Sequence, residues 1–484
     1  MERPNENPAP EDNCQTPSKT NEKGSLTRSE RSNGYKVIQE SSTPQTGTES
    51  LPAESLSPPS DPGTENPVDD QDGDHTPDEK GVSLSRTFSR VIYASIATVT
   101  ALAVVYVAFF STASQLDHHT DAHGVREGLA WVEPPREMTP SWSIDGYTDL
   151  ISTPGATIAT TDTTVTRIDS ITGEETWSYS RPDSTLCHTI EAGGDVVALF
   201  NSGNGCSDIT MLDSATGEVE NYSMYGVESD TARLVHGNEH IAIVTPDRVR
   251  FLSMSLTPRA EFGDRPDALY PDDQQVTGCT ISDVAIGPDV GVVAATCEGQ
   301  NTYHINAVDL DPEENTEGNL ILDVDTKSTQ PVSIPMVSLA QVLFIVPGAE
   351  PKMYAWQLDK EMSEISSTPM KQGVFPRGHW DFPSIGYVWL IGEDIHVRFG
   401  SEDISQSTTT DSRVIGNPLP ASRNMLLPTR GGIDVWNPSD NSGHRIEIDG
   451  FNGTDFAFAG GTVMTFDRDD ESGTITGYSS PENN

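Results

Sequence analysis

Three sets of residues in the chain have the types and spacing to do chemistry. The first is acidic. "DLDPEENTE" offers Asp309, Asp311, Glu313 and Glu317, and "FDRDDESG" offers Asp467, Asp469 and Glu471. Alternating acids in a loop are what a hard cation such as Ca²⁺ needs. Neither run has the sixth-position glycine or the distant bidentate glutamate of an EF-hand, so both read as acidic hairpin turns. The second set is "HHTDAH", where His118, His119 and His123 are of a type that binds zinc or copper. They fall in a segment expected to lack a fixed geometry, and no metal site is assigned. The third set is Cys187, Cys206, Cys279 and Cys297, an even number without a CxxC spacing, which favours disulfides over a metal. Four cysteines permit three connectivities. Cys187–Cys206 and Cys279–Cys297 are the expected pairs, because each brackets one hairpin-like segment, "CHTIEAGGDVVALFNSGNGC" and "CTISDVAIGPDVGVVAATC". Each closes a loop of about 20 residues, worth about 3 kcal/mol in the chain-entropy treatment. His236 and His240 in "VHGNEHIAIV" read as flanking a hairpin. The G-x-S-x-G elbow, H-E-x-x-H and the Walker loop are missing from the sequence, so no catalytic residue is assigned.

The elements that would position these residues follow from composition and patterning. The chain has 484 residues, a net charge of −45 and 34% hydrophobic residues, below the ~45–50% of ordinary globular proteins. Residues 1–85 are rich in Pro, Ser, Thr, Glu and Gly without a hydrophobic period. Such a segment cannot bury enough surface to offset its ordering entropy, and a disordered, acidic cytoplasmic tail is expected. Val91–Phe110 is a stretch of 20 residues without a charge, which as a helix spans about 30 Å, the thickness of a bilayer core. Tyr93, Tyr106, Phe109 and Phe110 sit near its ends, as interfacial aromatics do. Lys80, Arg86 and Arg90 precede it, whereas the first base after it is Arg126. The positive-inside rule therefore predicts a single-pass signal-anchor over 88–112, with the N-terminus cytoplasmic and the remainder outside the cell membrane. Cys14 then stands alone on the cytoplasmic side, and the four paired cysteines lie on the oxidising side. Residues 113–140, with Pro134 and Pro135, read as a stalk. Residues 111–484 carry 57 acids and 20 bases, or −37. A field of that sign repels nucleic acid and anionic lipid, and suits cationic or polar partners.

From about residue 141, short β-branched runs such as "ATIATTD", "DVVALF", "HIAIVT", "GVVAAT", "VLFIVP", "YVWLIG" and "TVMTF" recur every 35–45 residues between Gly, Asp, Asn and Pro turns. They are too short for buried helices and read as strands. A period near 40 with four strands per unit points to a β-propeller. In "RIDSITGEETWSYS", Asp169 ends a strand and can accept turn N–H groups, Thr172 and Gly173 form the turn, and Trp177 lies on the returning strand where its ring can wedge against a neighbour. "TMLDSATGEVENYSMY" repeats Asp213, Thr216 and Gly217, with Asn221 at the Trp position.

On these residues the chain resembles the PQQ-like (quinoprotein-type) β-propeller repeats, whose unit reads roughly Ala-x-Asp-x-x-Thr-Gly-x-x-x-Trp. Arg167 stands at the Ala position. With its acidic tail, single span and paired cysteines, the chain also resembles actinobacterial membrane-anchored envelope proteins. The resemblance covers about residues 141–480, and residues 481–484 form a short tail. It implies an all-β, eight-bladed propeller outside the membrane, with units at roughly 148–183, 184–228, 230–268, 278–328, 330–374, 375–411, 412–451 and 452–480. The last unit has three evident strands, and "PSWSID" at 140–145 would supply the fourth; seven blades are the alternative. Quinoprotein dehydrogenases of this fold use a quinone, Ca²⁺ and an adjacent-cysteine disulfide or a stacking Trp. This chain has no adjacent cysteines, and no cofactor is expected. The function so implied is a non-enzymatic binding or scaffold module of the cell envelope, engaging an unidentified envelope protein or a polar or cationic ligand. The alternative is a quinone- and Ca²⁺-dependent oxidoreductase.

Overall fold

A computed structural model of the protein describes residues 95, 97–101, 116–122 and 124, and then 134–480 apart from 154–155, 204, 227–228, 238, 265–275, 312–319, 339, 359–363, 371–375, 383–385, 399–407, 411, 449–450, 452–454 and 469–471. The expected tail, most of the apolar stretch, Cys14, His123, Glu313, Glu317, Asp469, Glu471 and residues 481–484 lie outside the described residues. Residues 97–101 are helical. No helix among the described residues is long and apolar enough to cross a membrane.

From residue 139 onward the described structure is nearly all β, in antiparallel sheets of four strands, consistent with a β-propeller. The first sheet runs from Asp149–Thr153 to Glu175–Ser180 and the second from Thr185–Ala192 to Val219–Met224. The third runs from Arg233–His236 to Pro258–Gly263, and the fourth from Thr280–Ile286 to Leu320–Ser328. The fifth spans Ser333–Val337 to Glu364–Pro369, the sixth Pro376–Phe382 to Thr408–Thr409, and the seventh Leu419–Ala421 to Ser442–Glu447. The eighth joins three strands from the C-terminal region, Asp455–Ala459, Thr462–Arg468 and Gly473–Ser479, to Thr139–Tyr147 from before the first sheet. There Ser143 lies opposite Thr476 and Ile144 opposite Ile475.

The burial patterns explain this order. The second strand of the first sheet, "ATIAT", is buried along its whole length, whereas the outermost strand of the second sheet, "VENYSM", is largely exposed. A strand covered on both faces reads as a continuous apolar run, and an edge strand does not. The apolar residues fall into eight clusters, each shared by two neighbouring sheets. Val165, Trp177 and Tyr179 meet Val196, Phe200 and Leu212 between the first and second sheets. Corresponding clusters join second to third, third to fourth, and fourth to fifth. Others join fifth to sixth, sixth to seventh, and seventh to eighth. The remaining cluster carries Ala457, Met464, Phe466 and Ile475 of the eighth sheet onto Leu150, Ala159 and Ile168 of the first. Face-to-face packing thus returns to its starting point, and Thr139–Tyr147 ties the two ends of the domain together.

Cys187–Cys206 and Cys279–Cys297 are disulfides within the second and fourth sheets. Cys206 is fully buried and Cys187 packs against the same cluster. Replacing both Cys187 and Cys206 with serine is expected to lower the unfolding free energy by about 3 kcal/mol, measured by chemical denaturation; an unchanged midpoint would contradict it.

Candidate functional site

The Asp-x-x-Thr-Gly turns are formed in the same way in both sheets. Asp169 Oδ1 accepts from the N–H of Ile171 at 3.0 Å, the N–H of Thr172 at 2.7 Å and the Thr172 hydroxyl at 3.0 Å. Asp213 Oδ1 accepts from the N–H of Ala215 at 2.8 Å, the N–H of Thr216 at 2.7 Å and the Thr216 hydroxyl at 3.2 Å. Short carboxylates are used because they cap the turn's own amides. Gly173 and Gly217 have φ of 76° and 73°, the left-handed region where a Cβ is penalised.

A second reason for glycine lies in the neighbouring sheet. Trp177 donates from Nε1 to the carbonyl of Ser214 at 3.1 Å, and a Cβ on Gly217 would come within 2.6 Å of its ring. Trp142 does the same one sheet earlier: its Nε1 donates to the carbonyl of Ser170 at 3.1 Å, and a Cβ on Gly173 would meet its ring at 2.7 Å. The Trp of one outer strand is therefore seated on the turn of the next sheet. Sequence reasoning identifies Trp177 in this role and misses Trp142, because nothing near Trp142 repeats the turn. Arg167, at the position where the repeat carries Ala, is buried and donates from Nη1 to the carbonyl of Ala215 at 2.8 Å, adding to the same joint.

The other chemistry-bearing residues are dispersed. His118 belongs to a short strand, Asp117–His119, that pairs with Glu175–Ser180 as a fifth strand of the first sheet. Its Nε2 lies 2.7 Å from the carbonyl of Gly217 and its ring meets Tyr179 edge-on. Asp309 caps the N–H of Asp311 at 3.0 Å, and Asp311 lies 3.7 Å from Arg259. Asp467 is one of the two exposed residues that end the otherwise buried strand Thr462–Arg468. His240 is buried with Nδ1 3.1 Å from the carbonyl of Pro288, and His236 lies on the first strand of the third sheet. Asp213 of the second turn comes together with Asp195 and Glu220, one oxygen of each lying within 4.8 Å of the others.

A set of ionisable groups that sequence reasoning misses lies on the first strands of the sheets, which adjoin one another in succession. Asp283 of the fourth sheet accepts from the N–H of Val284 at 2.9 Å and from the N–H of Ile334, in the fifth sheet, at 2.8 Å. It faces Arg233 of the third sheet at 3.7 Å. His188 of the second sheet accepts at Nδ1 from the N–H of Leu234, in the third, at 3.4 Å, which places its proton on Nε2. Asp149 of the first sheet interacts with Asp455 of the eighth and with Arg468, whose Nη2 is 3.8 Å away. Glu191 accepts from the N–H of Gly194 at 2.8 Å and interacts with His236. Burial pushes the Asp149, Asp283 and Glu191 carboxyls above their ordinary values, against the pull of their hydrogen bonds and of Arg468, Arg233 and His236 respectively. Burial, followed by Arg233, holds His188 below the ordinary imidazole value. The arrangement is a run of ionisable groups of mixed sign on successive first strands.

These shifts set opposite slopes of stability with pH. The unfolded chain takes up a proton on His188 more readily than the folded one, so its contribution is intact above pH 6.5 and is lost as the pH falls below it. His240 and His396, also lowered first by burial, act in the same sense. The raised carboxyls favour the folded state below their unfolded values, and that contribution is lost as the pH rises through their folded ones. His188→Gln is therefore expected to give a shallower loss of melting temperature than the parent between pH 6.5 and 5.5; an identical slope would contradict it.

The arrangement does not fit a quinone with Ca²⁺. Its carboxyls are divided among the first, second, fourth and eighth sheets rather than gathered into one ligand set, and the disulfide-bonded cysteines are 19 and 18 residues apart rather than adjacent. No protein-family model matches the chain, and no curated protein matches it.

Proposed function

We propose that the chain is a single-pass cell-envelope protein whose outer domain is an eight-bladed β-propeller of the PQQ-like kind, working as a binding module rather than an enzyme. Val91–Phe110 anchors it with the N-terminal tail in the cytoplasm. The reading of eight blades rather than seven is supported by the eight sheets and by the eight clusters that link them in a closed succession. The propeller kind is supported by the two capped turns and the Trp residues seated on them. The ligand is a polar or cationic group, on a small molecule or on an envelope protein. The observation that carries this reading is the placement of Asp149, His188, Arg233, Asp283 and Asp455 on successive first strands, which would line the mouth of the propeller. Loops and strand ends at one face of a rigid ring are where such scaffolds bind.

A photo-crosslinking residue placed at Ser333, on the first strand of the fifth sheet, tests it in intact cells. One discrete adduct is expected there, lost in the Arg233→Gln/Asp283→Asn double variant. None is expected from Glu447, on the outermost strand of the seventh sheet. Equal labelling from both positions would overturn the reading.

A further inference from the structure

Six large hydrophobic residues are exposed from Leu116 onward among the described residues, and four of them, Leu116, Val219, Tyr222 and Met224, belong to two neighbouring segments. Val219, Tyr222 and Met224 lie on the outermost strand of the second sheet, with Tyr222 51% and Met224 63% exposed. An outermost strand carrying exposed apolar side chains is a liability in a soluble domain. The corresponding edge of the first sheet is covered, because Asp117–His119 pairs along it.

The path of the chain gives the apolar edge a neighbour. Asp117 pairs with Ser180, so the chain enters the domain beside Arg181. The Tyr222 phenol interacts electrostatically with that same Arg181. Leu116 therefore enters on the side of the domain where Arg181 and Tyr222 lie. The segment is then fastened: His118 Nε2 lies 2.7 Å from the Gly217 carbonyl, and the N–H of Asp121 donates to the Thr216 carbonyl at 2.9 Å. Gly124 rests so closely on Ala215 that a Cβ would meet its carbonyl oxygen at 2.1 Å. Six residue steps separate Phe110, the last residue of the apolar stretch, from Leu116. Even fully extended they span about 20 Å.

From this we infer that the outer edge of the second sheet, with Leu116, Tyr222 and Met224 foremost, rests in the headgroup layer of the membrane that anchors the chain. The inference rests on Val91–Phe110 being a membrane span. The anchor leaves the bilayer at most about 20 Å from Leu116, and Tyr is a residue of choice for the membrane–water interface. Exposed Glu218 and Glu220 flank the patch, which suits a zwitterionic surface better than an anionic one. The domain then stands on its rim, with its mouth facing along the membrane plane rather than away from it.

The test uses the full chain with Cys14→Ser, carrying Met224→Cys or, as a control, Ile365→Cys, each labelled with an environment-sensitive nitrobenzoxadiazole. Ile365 is exposed to a comparable degree, 42%, on the outermost strand of the fifth sheet. The proteins are reconstituted into phosphatidylcholine vesicles with and without doxyl-labelled lipid. Quenching at position 224 is expected to exceed that at 365 several-fold. Equal quenching in protein that resists alkaline carbonate would overturn the orientation while leaving the anchor intact. Release of the protein by carbonate would overturn the anchor itself, and the orientation with it.

Discussion

Replacing Trp177 with alanine is expected to lower the unfolding free energy by about 3–5 kcal/mol, the cost of a large cavity in a core that cannot collapse around it. Trp177 is fully buried and is one of the largest side chains in the cluster between the first and second sheets. Its loss also leaves the Ser214 carbonyl without the indole N–H, inside a joint that Gly217 has already shaped around the ring. Asn221 stands at the corresponding place on the outer strand of the second sheet, where its amide is 3.9 Å from the Met211 sulfur. Asn221→Ala should therefore cost less than 1 kcal/mol, the ordinary range for a weak, partly exposed contact. Denaturant melts of the two variants decide the matter: similar losses from both would mean that the Trp joint is not a special element of the ring. Trp142→Ala should fall between the two, since that ring is only partly buried.

The second large effect concerns closure. Deleting residues 139–147 from the full chain removes the strand that pairs with Gly473–Ser479, and with it Trp142 and Ile144. The freed edge of Gly473–Ser479 would expose unpaired backbone groups, which invites association with other chains. The cluster that joins eighth sheet to first would lose Trp142 and Ile144 from its border. The expected outcome is a protein that elutes as aggregates in size-exclusion chromatography, or whose melting temperature falls by about 5 degrees, the shift that a loss of about 4 kcal/mol produces in a domain of this size. A monodisperse variant with the parental melting temperature would show that the ring does not depend on this strand.

Much of this architecture is written in local patterns. The short β-branched runs announce strands because both faces of the inner strands are covered, and the two cysteine pairs announce themselves because each lies at the ends of one hairpin. Asp169 and Asp213 are legible for the same reason: every partner of their turn lies within a few residues. What is not legible depends on distant partners. Trp142 acquires its role from a turn 28 residues later and from a strand more than 300 residues away. Asp283, His188 and Arg233 lie far apart in the sequence, each within a short strand, and their meaning arises only when consecutive first strands are set side by side. The short strand in "LDHHTD" is equally hidden, since three residues have no period to read. Sites assembled from one residue per repeat leave no motif in a linear chain.

The claim on which the account turns is that the eighth sheet is completed by the strand preceding the first. Ser143 and Thr476 face each other across that junction, with hydroxyls 3.4 Å apart. In the full chain with Cys14→Ser, Ser143→Cys and Thr476→Cys should form a disulfide on mild oxidation, seen as one cross-linked tryptic peptide and a raised melting temperature. Two free thiols after oxidation, in a protein that retains its native melting profile, would contradict the closed ring.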